Sequence, residues 1–367
     1  MPSILIYGSY GFVGSLVAHE ALERGLEVVL GGRDPESVRE QVEDLECPGR
    51  AFALEDPDVV REALESAAVD CVLNCAGPFS NTAAPLVEAC IRSGTDYVDI
   101  AGEIPVIEGI AERDEDASEA GVTLVPAAAF SAVPMDCLAA HLTDRFPDAD
   151  ALALGVDSLR PPSIGTVRTV IAGAEDGGAV YLNGRLEHVP AAWRTRWIDF
   201  GRGFRGAVTM PTADVSTAHY TTGVPTVAVY AAVPQPARSL LMAHRYVAPI
   251  VASRPVSRAL TLLAGMVREG PGSWSRERGS AYVWGEARDE YSGERVVSRL
   301  RTPDPYVVTV DAALTAVERV IDDDVDPGYR TPARAFGPGF VLGLDGVAGF
   351  FDETTPETDS PRVDVAG

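Results

Sequence analysis

Apolar positions in the first third of the chain fall in short continuous runs separated by amphipathic stretches. Residues 4–7, 28–30, 51–54, 69–75, the run DYVDI and residues 122–126 read as six strands buried on both faces. Between them the spacing becomes helical: Leu16, Val17, Ala21 and Leu22 form one face that closes at Gly25, and further helices are expected over 34–45, 57–66 and 83–93. Strand and helix in strict alternation predict an α/β domain with a doubly wound parallel sheet over residues 1–134. After about residue 130 the alternation stops and Gly and Pro become frequent. Strand-like pieces (GTVRTVIAG, RWIDF, VPTVAVYAAV) and the Asn183-Gly184 hairpin signal in VYLNGRLEHV predict a second, α+β domain over 135–304 with a mostly antiparallel mixed sheet. Residues 352–367, acidic with threonine and proline, read as a disordered tail.

The first strand runs directly into YGSYGFVGS, Tyr7 to Ser15. A glycine-rich turn alone is weak evidence, but this one sits between a buried strand and a helix of a βαβ unit, where a dinucleotide fingerprint belongs. Gly8 permits the turn, Gly11 lets backbone approach a pyrophosphate, and Gly14 lets helix pack on strand; Ser9, Tyr10, Phe12 and Val13 complete the cradle. The second strand ends in GGRD, where an NAD enzyme usually carries an acid for the ribose hydroxyls. The planar guanidinium of Arg33 suits a 2′-phosphate, so NADP is the expected cofactor, with NAD held by Asp34 as the alternative. Ala76, Gly77 and Pro78 follow the fourth strand as small, close-approach positions for a nicotinamide ribose.

Composition narrows the chemistry. The formal net charge is −24, from 54 acids and 30 bases, and every base is arginine. Such self-repulsion is best tolerated in a salt-rich cytosol, so a halophilic, cytoplasmic protein is expected. Without lysine there is no Schiff-base or lysine general-base chemistry, and the acid excess argues against a nucleic-acid partner. Five cysteines, an odd number with no secretory signal before them, read as reduced core residues. Cys71 and Cys75 would lie about 13 Å apart on a strand, so no metal site is expected. No run approaches the roughly 18 uncharged apolar residues of a membrane span. One stretch, Val215 to Arg268, contains no aspartate or glutamate. It reads as core, a homodimer interface, a wall for an apolar substrate, or, through 237–267, a peripheral membrane contact.

Several segments together resemble the saccharopine dehydrogenase-like oxidoreductases, the broad family that includes the trans-acting enoyl reductases of lipid biosynthesis. The carrying pieces are GSYGFVGSLVA, VVLGGRD, VLNCAGPF, LVEACIRSGTDYVDIAGE, FSAVPMDCL, SIGTVRT, TTGVPTVAVY, YVWGEA and RTPARAFG, in that order. The resemblance implies an N-terminal Rossmann domain, a mixed-sheet second domain, and a segment at 305–351 that packs back on the first domain. It also implies a cofactor role for Gly8, Gly11, Gly14 and Arg33, and places Asn74, Gly77 and Pro78 near the nicotinamide. Ser131 and Ile164 depart from the family pattern, which often has an acid and a glycine there.

Hydride transfer also uses a proton donor or an electrostatic stabiliser. Asp99, Glu103 and Asp136 are the catalytic candidates, at or just past the ends of first-domain strands, with Asp136 also expected near a helix N-cap. Tyr97, Tyr220 and Tyr230 are further possible donors. Three functions follow. The first is an NADP-dependent oxidoreductase acting on a C=C or C=N bond of an apolar small molecule such as a lipid or prenyl chain. The second is a saccharopine-type amino-acid dehydrogenase using Arg160, Arg168, Arg185, Arg194, Arg196, Arg202 or Arg205 for substrate carboxylates. The third is a non-catalytic dinucleotide-binding or membrane-surface scaffold.

Overall fold

The computed structural model describes residues 3–158, 177–235, 238, 279–322 and 325–353. The expected strand GTVRTVIAG, Arg160, Arg168, Ile164, nearly all of the 237–267 segment and the tail beyond residue 353 lie outside the described residues.

The N-terminal sheet is parallel throughout. Its strands are β1 (Ser3–Tyr7), β2 (Glu27–Gly32), β3 (Gly49–Ala51), β4 (Cys71–Asn74), β5 (Asp96–Asp99) and β6 (Thr123–Val125), with β15 (Gly328–Tyr329) joining from late in the chain; their order is β15-β6-β5-β4-β1-β2-β3. Order reverses between β1 and β4, so a crevice opens above their carboxyl ends. Ile4, Ile6, Leu73, Val98 and Val125 face one core, and Leu5, Tyr7, Val72, Tyr97 and Leu124 face the other, as period-two alternation in a doubly covered sheet requires. The third strand was expected over 51–54 and forms instead over Gly49–Ala51. It is an exposed edge strand; just past its end the Phe52 N–H still donates to Gly32 at 2.9 Å, and the Phe52 ring lies 5.0 Å from that of Tyr7. The seventh strand, β15, was not expected, because two residues are too few to show a period.

Helices α1 (Phe12–Glu23), α2 (Pro35–Leu45), α3 (Pro57–Ala67), α4 (Phe79–Ser93), α5 (Ile104–Ala111) and α6 (Asp114–Ala120) connect the strands. Both α2 and α3 start with an Asp-Pro pair: Asp34 and Asp56 accept the N–H of Ser37 and Asp58, and proline opens the first turn with its φ already set.

Helix α7 (Val133–Arg145) leads into the second sheet, which is made of β7 (Ala151–Ser158), β8 (Gly178–Leu182), β9 (Arg185–Val189), β10 (Thr195–Asp199), β11 (Phe204–Thr209), β12 (Thr226–Ala232), β13 (Ala281–Arg288), β14 (Arg295–Thr302) and β16 (Phe351–Asp352). The main path runs β10-β11-β12-β7-β13-β14-β16, with β8 paired to β12 and β9. It is antiparallel except for β12 beside β7, so the mixed sheet expected from the strand signals is present, and Asn183-Gly184 forms the β8–β9 turn. Helix α7, with Leu138 and Leu142, and α8 (Asp214–Thr222) cover one face, and that core is continuous with the core of the first sheet. Helix α9 (Pro305–Ile321), started by a third Asp-Pro pair at Asp304, returns the chain to the first domain. There Arg24 of α1 reaches Asp311 at 2.7 Å, Thr315 at 3.2 Å and Glu318 at 3.5 Å.

On the opposite face of the second sheet, the β10–β11 ribbon curls over toward β13. Arg196 grips Glu286 with two hydrogen bonds of 2.9 and 2.6 Å and stacks over Trp284 at 4.7 Å, while Arg295 adds a third contact at 3.3 Å. The Glu286 side chain is only 2% exposed, so its charge relies on these two guanidiniums. Replacing Arg196 with leucine strands most of that buried charge and should cost about 3 kcal/mol. Denaturant unfolding checks this, and a loss below 1 kcal/mol would show that Arg295 alone compensates.

Candidate functional site

At the crevice the backbone itself builds the cradle. Gly8 has φ +83°, and a Cβ there would sit 2.8 Å from Ala76, so the turns after β1 and β4 touch with no room for a side chain. A Cβ at Gly14 would overlap the carbonyl oxygen of Gly8. Gly11 occupies the N-cap of α1 with no side-chain cap and no acid in the first turn, which leaves the helix N-terminus open as an anion site. Ser9 is buried, and its N–H and hydroxyl point back to the carbonyl of Gly31 at 3.1 and 3.3 Å. Tyr10 lies over Gly32, and its hydroxyl accepts the N–H of Asp34 at 3.3 Å. Phe12 is 42% exposed, and Val13 starts the helix beside it.

Arg33 and Asp34 separate clearly. One oxygen of the Asp34 carboxylate caps α2, accepting both Ser37 N–H and Ser37 O–H, and these bonds hold its pKa below the usual carboxylate range. Arg33 is exposed at the end of β2 and makes no ion pair with a described residue. The alternative ribose ligand is thus engaged as a helix cap, whereas the guanidinium is available.

Across the crevice, Asn74, Tyr97 and Asp99 form one buried chain. The Asn74 amide donates to the Tyr97 hydroxyl at 3.1 Å and to Thr82 at 3.1 Å, while its oxygen accepts Ala76 N–H at 3.0 Å. Tyr97 donates on to Asp99 at 2.9 Å, and the other Asp99 oxygen accepts the N–H groups of Ala101 at 2.9 Å and Ala127 at 2.8 Å. Ala127 is held at φ 57°, a left-handed conformation unusual for alanine. The loops after β4, β5 and β6 therefore hang from one network. Asn74 and Asp99 are both 0% exposed and position those loops, so in this arrangement neither presents a free polar atom to the crevice. Burial pushes the Asp99 carboxyl up to about 6, although its hydrogen bonds pull the other way.

Glu103 stands differently. It is half-buried and accepts the N–H of Phe79 at 3.1 Å and of Ser80 at 2.8 Å, closing the N-terminus of α4 beside the cis Gly77–Pro78 peptide. Asp136 does not sit at the N-cap of its helix, which is Ala132; it lies within the first turn of α7, fully buried. Its oxygens accept Thr221 O–H at 2.6 Å and Ala333 N–H at 2.8 Å, joining α8 and α10 (Pro332–Phe336) to α7. Of the three carboxylates, the structure brings Asp99 and Glu103 to one edge and places Asp136 inside the junction between domains.

Sequence reasoning missed three contributors. Tyr306, in the first turn of α9, meets the Phe12 ring edge-on at 5.2 Å, and the Phe130 N–H donates to Thr309 at 3.2 Å, so α9 borders the cradle. The Asp304-Pro305 start signal was readable; what the helix packs against was not. Glu108 of α5 accepts both Tyr181 at 3.0 Å and Tyr220 at 2.8 Å, clasping the domains together. Asp214, the last acid before the acid-free stretch, is 1% exposed: one oxygen accepts Thr212 O–H at 2.8 Å and the other has no partner among the described residues. The neighbouring Ala213 N–H donates to Gly102 at 3.2 Å, between the loop after β5 and the second domain.

Burial, reinforced by the Asp136 charge, pushes Asp214 up to about 8. The fold thus favours its protonated form, and that stability is fully present below the unfolded pKa of about 3.9 and is lost as pH rises through the folded value. Burial pushes Asp99 and Asp136 up only to about 6, so from pH 6.5 to 8 Asp214 gives the largest contribution of these three carboxyls. The parent should lose stability there at up to about 1.4 kcal/mol per pH unit. Asp214→Asn should flatten that slope in denaturant unfolding; an unchanged slope would assign the titration elsewhere.

Residues 4–125 match the family model for the saccharopine dehydrogenase NADP binding domain. Among curated proteins, a trans-acting enoyl reductase of Mycobacterium ulcerans is 31% identical over 152 residues, which cover 39% of this chain and 35% of that protein. A protein of Arabidopsis thaliana named probable mitochondrial saccharopine dehydrogenase-like oxidoreductase is 31% identical over 150 residues, 36% of this chain and 33% of that one. The match thus spans about a third of the length of each relative. Among solved structures, saccharopine dehydrogenase (L-Glu forming) from Saccharomyces cerevisiae superimposes with a TM-score of 0.66 over 96% of this chain and 100% of that one, at 13% identity. Homospermidine synthase from Legionella pneumophila in complex with NAD gives 0.64 over 100% and 96%, at 9% identity. Residues 4–125 are thus similar to the saccharopine dehydrogenase NADP binding domain, and the chain shares the fold of the yeast saccharopine dehydrogenase.

Proposed function

We propose that this chain is an NADP-dependent oxidoreductase that reduces a C=C or C=N bond in a largely apolar substrate. The observation that carries the cofactor assignment is the pairing of an uncapped α1 N-terminus with an unpaired Arg33, while Asp34 is tied to Ser37. The pyrophosphate would rest on the first-turn amides of Phe12 to Gly14, the 2′-phosphate on Arg33, and the nicotinamide ribose near Ala76, Gly77 and Pro78. When bound, the cofactor supplies hydride. The chain's own part is to orient it through the loops that Asn74 and Asp99 hold, and to line the crevice. Of the three carboxylates, Glu103 is the one with solvent access beside Pro78, and it is the candidate to meet substrate.

Support for an apolar substrate comes from the enoyl reductase name carried by relatives and from the side chains at the crevice. Phe12 is 42% and Val307 38% exposed around Tyr306, and Met210 and Pro211 lead into the Gly102 contact. A dicarboxylic amino-acid substrate fits less well. Arg196 and Arg202 belong to the face of the second sheet turned away from α7, where Arg196 pairs with Glu286 and both stack on aromatic rings.

Titration with NADPH and NADH, followed by nicotinamide fluorescence, tests the assignment. Arg33→Ala should weaken NADPH binding by about 10- to 100-fold and leave NADH within about twofold. Equal losses would show that Arg33 does not read the 2′-phosphate. Gly14→Val should abolish binding of both, and retention of binding would remove the cradle from the site.

A further inference from the structure

The turn after β1 and the end of β2 are built as one piece. The Gly31 carbonyl accepts the N–H groups of Gly8 at 2.8 Å and Ser9 at 3.1 Å, and the Ser9 hydroxyl at 3.3 Å. The Ser9 carbonyl accepts in turn the side-chain amide of Gln41 on α2, at 2.9 Å. Helix α2 begins just past Arg33, so the strand end, the helix and the glycine turn fix one another.

Tyr10 stands on this assembly. Its ring lies against Gly32, where a Cβ would overlap it, and its hydroxyl accepts the Asp34 N–H at 3.3 Å, so the side chain bridges the positions on either side of Arg33. The ring fills the space that a side chain at Gly32 would need. It thereby keeps from the end of β2 the carboxylate that an NAD enzyme usually carries there. Tyr10 is 36% exposed, and its hydroxyl proton has no acceptor among the described residues. A phenol that accepts an amide on one side keeps its O–H for a second partner. The acids of this corner do not take it: Asp34 accepts from Ser37, and Glu55, exposed between β3 and α3, makes no hydrogen bond to Tyr10.

We propose that Tyr10 is a specificity-determining residue for the cofactor: its phenol O–H donates to the 2′-phosphate of NADP beside the Arg33 guanidinium, and Gln41 is the positioning residue that locks the turn on which Tyr10 stands. This rests on the cofactor reading above and adds a second discriminating group to it. A terminal phosphate presents three acceptor oxygens and a planar guanidinium fork engages two of them, so a neutral donor next to the fork has a partner. The 2′-hydroxyl of NAD offers that donor only a neutral acceptor. Hydrogen bonds to charged groups are roughly twice as strong, so the phenol favours the phosphorylated cofactor.

The test is calorimetric titration of the full chain with NADPH, NADH and adenosine 2′,5′-bisphosphate, which carries the 2′-phosphate without the nicotinamide, each variant being shown to be folded by circular dichroism. Tyr10→Phe keeps the ring on Gly32 and removes only the O–H. It should weaken NADPH and the bisphosphate by about tenfold and leave NADH within about twofold. Gln41→Leu should weaken NADPH by about fivefold, and in that background Tyr10→Phe should cost no more than about threefold, because a phenol on a loosened turn has already lost its aim. A Gln41 that merely stabilises the fold would lower the melting temperature and leave the tyrosine effect at its full size. A parent that binds neither NADPH nor the bisphosphate, or binds NADPH no better than NADH, overturns the cofactor reading and this assignment together. A parent that prefers NADPH, and keeps that preference in folded Tyr10→Phe, overturns the assignment alone.

Discussion

The arrangement depends first on a buried chain of hydrogen bonds running across the carboxyl ends of β4 and β5. Asn74, Tyr97 and Asp99 are linked in series, and their remaining acceptors take the amides of Ala76, Ala101 and Ala127. An amide left bare in that dry layer would cost about 1–3 kcal/mol, so each loop is fixed by the need to satisfy it. A carboxyl serves where a neutral group would not, because one oxygen can receive two backbone amides while the other receives a phenol. The burial that raises its proton affinity is the same burial that makes its hydrogen bonds directional and strong.

The second domain is held to this edge by a few polar clasps around an apolar continuity. Glu108 receives two tyrosines from β8 and α8, Asp136 receives one group from α8 and one from α10, and Gly102 receives the Ala213 amide. Between them the core runs without a break from the first sheet through α7 to Leu152, Leu154 and Val283 of the second. Apolar area supplies adhesion, and the clasps supply the orientation that a greasy contact alone leaves loose.

What the sequence disclosed follows the range of the forces involved. The βαβ unit, the glycine cradle, the Asp-Pro helix starts and the Asn183-Gly184 turn were legible because each is fixed by neighbours within a few residues. The exposed position of Arg33 was legible for the same reason, since the strand end places it. The roles of Asn74, Asp99 and Asp136 were not. Those positions were singled out as chemical, but their oxygens are engaged by partners from 2 to 197 residues away. The third strand lies two residues earlier than its apolar run because its pairing with Leu30–Gly32, a contact between distant segments, sets its bounds. Tyr306 and the parallel pairing of β12 with β7 depend wholly on contacts between distant segments, which leave no period to read.

The route of the chain has a consequence for its synthesis. Helix α9 and strand β15, which complete the first sheet's covering and its edge, are separated from α1 by all of the second sheet except β16. A ribosome therefore releases the glycine turn long before the helix that shelters it. The nascent N-terminal sheet waits with one flank uncovered, a condition in which partly folded chains recruit chaperones or self-associate. The proposed cradle meets the helix that borders it only after residue 306 of 367 has emerged. A cofactor that stabilises the early cradle would then act during synthesis as a folding template for the protein it later serves.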